Sequence, residues 1–183
     1  MQIHYQDYKG INGGSIRKIE KVLNEEILVD QNNMKSEYKG HLLCFCSSIN
    51  EITSLVKIFE RKLNGKVFSV LPLHGKLSSA EERKVFEPSG KIKIIFASRI
   101  AETAITIDGI KVVIDPGQDL ELIYDQKNKI STMKMMDISQ SSAKQRAGRS
   151  GRTAPGHCFR LYSATNFKKR IVCKRPDMEN SSL

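Results

Sequence analysis

The residues best equipped for chemistry lie together in Ser141 to Arg152 (SSAKQRAGRSGR), where Arg146, Arg149 and Arg152 recur at steps of three. On a helix turning about 100° per residue, Gln145, Arg149 and Arg152 fall within about 60° of one another, so an amide and two guanidinium groups converge. Arginine suits a phosphate at such a point. Its planar fork donates paired hydrogen bonds, keeps its charge, and stabilises the charge of a transferring phosphoryl group. Gln145 is then placed to orient an attacking water. Gly148 and Gly151 let a ligand or a backbone approach closely, and they also weaken the helix, which is free to end there. The plain alternative is a solvated basic helix end; such an end would mix in acidic residues, and this segment has none.

The charge balance extends the same theme. With 30 Lys+Arg against 20 Asp+Glu the chain carries +10, and the excess is local. Between Ile138 and Pro176 there is no acidic residue, while ten lysines and arginines stand there; the rest of the chain balances at 20 against 20. An anionic partner is implied, either nucleotide phosphate or a nucleic-acid backbone, with a solvated basic face as the alternative.

Composition excludes several classes. At 183 residues, 39% hydrophobic and 27% charged, the chain is a globular domain of ordinary size. No apolar run approaches the roughly 20 residues of a bilayer span. Gln2, His4, Gln6, Asp7 and Lys9 leave no apolar core for a secretory signal and there is no lipidation motif, so an intracellular place is expected, nucleus and cytosol being indistinguishable. Cys44, Cys46, Cys158 and Cys173 adjoin apolar segments without metal spacing, and His41, His74 and His157 are scattered. Reduced thiols are expected, and no zinc site.

The elements that must position the basic segment alternate. Ile16, Ile19, Val22, Leu23 and Ile27 predict an amphipathic helix over 13–29 with Ser15 as its cap, followed by a polar connection over 30–40. The apolar runs 41–46, 67–73, 92–97 and 112–114 read as buried strands. Helices open at Ser47-Ser48 and at Ser78-Ser79-Ala80-Glu81, the latter with the hydroxyl-then-acid signature of a capping box. Residues 118–137 break the pattern and predict a β-hairpin around a polar turn at 125–128. A helix over 139–147 and a last strand over 158–162 complete an α/β arrangement, a doubly wound parallel sheet with helices on both faces. Residues 168–183 read as a basic tail leading toward further domains.

Gln145 to Arg152 (QRAGRSGR), with the following Thr153 to Tyr162, closely resembles motif VI of the DEAH-box RNA helicases of superfamily 2. Ala97 to Ile110 (ASRIAETAITIDGI) resembles the family's motif V, Leu43 to Ile52 its motif IV, and Pro72 to Pro88 the segment between them. In order and separation the likeness runs from Ile3 to about Phe167. It implies the second, C-terminal RecA-like domain of the helicase core over 41–167, with 1–40 leading in and the hairpin matching the family's strand-separating hairpin. It further implies that Gln145, Arg149 and Arg152 contact the triphosphate of ATP at a cleft between two domains, the arginines as fingers. Asp108 would touch the ribose or nearby water, Phe86 would stack on the base with tolerance of base identity, and Ser47, Ser48, Ser98, Arg99 and Thr106 would meet the RNA backbone.

Read on the residues alone, Phe86 caps the apolar side of its helix, Asp108-Gly109 is a turn, and Ser98 and Thr106 are loop hydroxyls. The chain also departs from the family. Ser98-Arg99 stands for Thr-Asn, Ala104 for Ser, and Cys46-Ser47-Ser48 for Leu-Thr-Gly; Arg99 either adds a phosphate contact or crowds the site. Neither a GxxxxGK[ST] loop nor an Asp-Glu-x-His string is present: Gly65-Lys66 is followed by Val67 and Gly75-Lys76 by Leu77. Those motifs, with the Mg²⁺ they hold, belong to the first RecA-like domain in this family, so the chain alone is expected not to turn over ATP. Expected partners are RNA, that first domain, C-terminal domains and an activator protein, and no membrane. The alternative is a non-catalytic RecA-like module that binds RNA or protein; RNA and DNA are not distinguished.

Overall fold

The apolar runs of the sequence become four adjacent parallel strands of a six-stranded sheet in a computed structural model of the chain, which describes residues 1–6, 14–103, 107–125, 129–151 and 155–173. The strands are β1 (Gln2–Tyr5), β2 (His41–Phe45), β3 (Phe68–Leu73), β4 (Ile92–Ala97), β5 (Ile110–Asp115) and β8 (His157–Arg160), in the spatial order β1-β8-β5-β2-β4-β3. Every ladder is parallel. β6 (Gln118–Asp125) and β7 (Ile130–Asp137) form a separate antiparallel hairpin, with Leu122 opposite Met133. Its outer residues are bare: Leu122, Tyr124, Ile130 and Met133 are all more than half exposed.

The two-residue period of the central strands sorts the core into two layers. Leu42 and Cys44 of β2 join Ile94, Phe96, Val112 and Ile114 beneath α1 (Gly14–Lys21) and α2 (Ile49–Lys62). Leu43 and Phe45 turn the other way, to Ile95, Val113 and Cys158, beneath α3 (Ser79–Phe86) and α4 (Gln140–Ala147). Each fully buried Leu, Ile or Phe contributes about 1.5–3 kcal/mol. Burial on both faces explains why these strands read as unbroken apolar runs.

Three expectations change in detail. The first strand, Gln2–Tyr5, lies within the stretch expected to be only connection and helix, and pairs with β8 at the sheet edge. Ser15 sits inside the first turn of α1 and gives its hydroxyl to Glu51 instead of capping; the helix continues as a wider π turn over Val22–Ile27. The basic stretch from residue 168 begins as part of the body. Beyond α5 (Ala164–Lys169), Arg170 is 8% exposed, lies over the Tyr162 ring at 3.9 Å and donates to the carbonyl of Gly117 at 2.6 Å. The backbone N–H groups of Gln140 and Ser141 in turn donate to the carbonyls of Ile171 and Val172. Gly117, at φ +77°, admits no side chain, because a Cβ would collide with Tyr162 and Arg170.

Candidate functional site

α4 starts where Ser139 accepts from the Ser142 backbone N–H at 3.1 Å, and stops at Ala147, with Gly148 as its C-cap. The helix therefore does not run on to residue 152, so helical spacing alone does not place Arg149 beside Gln145. Arg149 lies one residue past the cap, and Gly151 turns the chain at φ +86°. Arg152 and Thr106 lie outside the described residues.

The inward face of α4 carries Arg146, which is 0% exposed. Its Nε donates to Glu102 at 2.6 Å and its Nη1 to Asp115 at 3.1 Å; Asp119 stands 3.8 Å from Nη2, and the Phe45 ring 4.7 Å from the guanidinium carbon. Burial alone would lower this group's pKa, but Asp115 and Glu102 hold it above its ordinary value, so it remains a cation. Asp115 is also held by the Tyr162 hydroxyl at 2.9 Å. Glu102, in the 3₁₀ turn Arg99–Glu102, accepts further from the Ser142 hydroxyl at 2.7 Å. Arg146 thus ties α4 to that turn, to the end of β5 and to the base of the hairpin.

Arg149 faces outward. It is half-buried, and its Nη2 donates to the backbone carbonyl of Glu102. Gln145 is exposed and shares with Arg149 a cleft of about 340 Å³, whose other walls are Glu102, Thr103 and Gly148. A second cleft, of about 610 Å³, runs from Gln145 past Ser142 to Arg99 and Asp119 beneath the hairpin. One amide and one guanidinium meeting in an open cleft can receive an anion; Arg146, enclosed by carboxylates, cannot.

The remaining residues fall at two opposite ends of the parallel strands. Phe86 ends α3 just ahead of β4, 39% exposed, and Asp108 sits in an exposed turn ahead of β5. Ser150, next to Arg149, packs beside Gly156 at the start of β8. All three positions belong to the N-terminal ends of strands. At the C-terminal ends, Ser47 and Ser48 follow β2, and Ser98 and Arg99 follow β4. Ser48 caps α2 by accepting from the Glu51 N–H at 3.2 Å, and the Ser47 hydroxyl donates to Glu51 at 2.6 Å. Ser98 leads into its turn without using its hydroxyl as a cap, and Arg99 is exposed.

Among the described residues no group of three or more His, Cys, Asp or Glu side chains is arranged to hold a metal ion, and no helix is long and apolar enough to cross a membrane. The carboxylates of Glu102, Asp115 and Asp119 surround Arg146 and do not fit Mg²⁺. Cys44, Cys46 and Cys158 are buried free thiols, and Cys173 is exposed. No motif or spacing in the sequence assigns a separate role to Arg146, Glu102 or Lys93. For Lys93 a signal existed: it is the one cation inside the apolar run IKIIFA. The structural part taken by Arg146 had no local signal, because its partners lie 27 to 44 residues upstream.

A parallel sheet wound on both faces, with a hairpin and an arginine-bearing helix between its fifth and last strands, defines a RecA-like helicase domain. The chain belongs to the helicase conserved C-terminal domain family, whose model matches residues 17–154, and its relatives are of the DEAH-box kind. It is 43% identical over 150 residues to the ATP-dependent RNA helicase DEAH11, chloroplastic, of Arabidopsis thaliana, covering 81% of this chain and 8% of that protein. To the probable ATP-dependent RNA helicase DHX34 of Homo sapiens it is 43% identical, covering 80% of this chain and 13% of the relative. To HrpA of Escherichia coli, an ATP-dependent RNA helicase, it is 37% identical, over 82% of this chain and 12% of the relative. The crystal structure of the E. coli DExH-box NTPase HrpB superposes with a TM-score of 0.81 at 25% identity, over 97% of this chain and 21% of that one. The chain thus spans a small fraction of the length of each.

Proposed function

We propose that this chain acts as the second RecA-like domain of an ATP-dependent RNA helicase, completing an ATP site at an interdomain cleft and gripping the RNA backbone on its other side. In this reading Arg149 exchanges the Glu102 carbonyl for the γ-phosphate when the domains close, and Arg152 joins it. Both arginines stabilise the charge that spreads over the transferring phosphoryl group. Gln145 orients the attacking water, Asp108 meets the ribose side, and Phe86 stacks on the base. Mg²⁺ is held by the first domain. Ser47, Ser48, Ser98, Arg99 and Thr106 meet RNA phosphates, and an intracellular place follows from that work.

The observation that carries this reading is the segregation of the two sets. Phe86 and Asp108, read as the nucleoside contacts, stand at the N-terminal ends of the strands and Ser47, Ser48, Ser98 and Arg99 at the C-terminal ends, while Gln145 and Arg149 reach the Glu102 turn that continues from Arg99. Coupling of two ligands requires two distinct sites, and here one turn, Arg99–Glu102, adjoins both. The test is RNA-stimulated hydrolysis of all four nucleoside triphosphates by the full-length protein beside this domain alone, at one stated salt concentration. Activity confined to the full-length protein, with little preference among bases, is expected. RNA binding without hydrolysis in either would leave a non-catalytic binding module.

A further inference from the structure

The exposed ring of Phe86 stands at a helix end, where backbone commonly frays. Here it does not hang free. Lys93, on β4 and 3% exposed, sends its ammonium beneath the end of α3, donating to the Val85 carbonyl at 2.7 Å and to the Glu87 carbonyl. One cation therefore fixes the carbonyls on either side of Phe86 and complements the negative end of the helix. Pro88, next in sequence, restricts Glu87 to the extended conformation it adopts, at φ −60° and ψ 135°.

The other end of Lys93 reaches the Asp108 turn. Its backbone N–H donates to His41 Nδ1 at 3.1 Å, and the His41 backbone N–H donates to the Gly109 carbonyl at 3.0 Å. The His41 ring lies so close to Gly109 that a Cβ there would sit 3.3 Å from its Cδ2. Phe86 and Asp108 are thus joined through the hydrogen bonds of two residues, Lys93, which is buried, and His41, which is half-buried.

We infer that Lys93, braced by His41, is a positioning residue for the nucleoside, holding the Phe86 platform at a fixed height and distance from the Asp108 turn. The inference rests on the reading of Phe86 as the base platform. A buried lysine in the middle of an apolar strand is otherwise an expensive choice, since an apolar residue would fill the same space without desolvating a charge. What the ammonium adds is the simultaneous hold on both flanking carbonyls.

The test compares Lys93→Met, Phe86→Ala and the double variant in the full-length protein, reading KM and kcat for ATP and inhibition by inorganic tripolyphosphate, which has no base to stack. Lys93→Met should raise KM for ATP roughly tenfold, the order expected when one base stack is lost. kcat and the tripolyphosphate inhibition constant should hardly move, and the substitution should add little on top of Phe86→Ala. If Lys93→Met does not fold, Lys93→Gln, whose shorter, uncharged amide holds the two carbonyls less strongly, should give a smaller rise in KM of the same kind. An unchanged KM in a folded Lys93 variant, where Phe86→Ala raises it, overturns the inference and leaves the platform standing. Equal weakening of ATP and tripolyphosphate also overturns it, as a merely structural effect. An unchanged KM in Phe86→Ala removes the platform itself.

Discussion

The inward face of α4 and the rim beyond its C-terminus use the same side chain for opposite ends. Arg146 is enclosed by Glu102, Asp115 and Asp119 and lies over Phe45, with none of its surface in water. Arg149, three residues on, is half-buried beside an open cleft and holds the backbone carbonyl of Glu102. Both touch the same 3₁₀ turn. The difference teaches that a row of arginines is divided by its partners: the residue whose charge is balanced by buried carboxylates sets the frame, and the residue beside the cleft is the one proposed to meet an anion. Glu102 joins the two, its carboxylate held by Arg146 and its carbonyl by Arg149.

Four changes should separate the two regions. The largest effect belongs to the rim: Arg149→Ala in the full-length protein should slow RNA-stimulated phosphate release by about 10³ to 10⁵, as for a finger arginine, while the unfolding midpoint stays where it was. Arg146→Met should do the reverse. It leaves carboxylates buried without their counter-charge, and the loss of stability should be about 3–5 kcal/mol in urea unfolding. If Arg146→Met folds normally, Arg146 is not the frame.

The next change probes the opposite end of the strands. Arg99→Asn should weaken binding of single-stranded RNA and reduce the slope of log affinity against log salt by about 1, in a titration at several salt concentrations. An unchanged slope would place Arg99 away from the phosphates. Ser48→Ala should cost about 1 kcal/mol of stability through loss of the α2 cap, measured by urea unfolding of this chain.

Acidification should weaken the sheet where β2 and β8 begin. Burial and the nearby Lys93 hold His41 below its ordinary pKa, and burial with His4 and Lys111 does the same to His157. A base whose folded pKa is depressed binds more protons when unfolded. Its contribution to stability is therefore present above the unfolded value of 6.5 and is lost as pH falls through the folded value. Unfolding free energy should decline between about pH 7.5 and 5.5, and His41→Asn should flatten that decline.

Much of this was legible in the residues. The runs HLLCFC and KIIFA announced doubly buried strands, Ser78 and Glu81 announced a capping box that forms as read, and QRAGRSGR announced the family. The edge strand Gln2–Tyr5 was not legible, because four largely exposed residues carry no periodic signal. Helical spacing overran α4, since the helix ends at Ala147 with Gly148 as its C-cap, before Arg149. Counting charge could not show that Arg146 and Arg170 are buried against partners distant in sequence. Net charge describes the field around a chain, whereas the cations available to a phosphate are those that folding leaves facing a cleft.

The most direct test of the account is a crystal structure of the full-length protein with ADP and aluminium fluoride, read at the two arginines. Arg149 should have left the Glu102 carbonyl for hydrogen-bonding distance of the fluoride, with Arg146 still paired to Glu102 and Asp115. Arg149 remaining on Glu102 beside an occupied site, or Arg146 turned out to meet the anion, would contradict it.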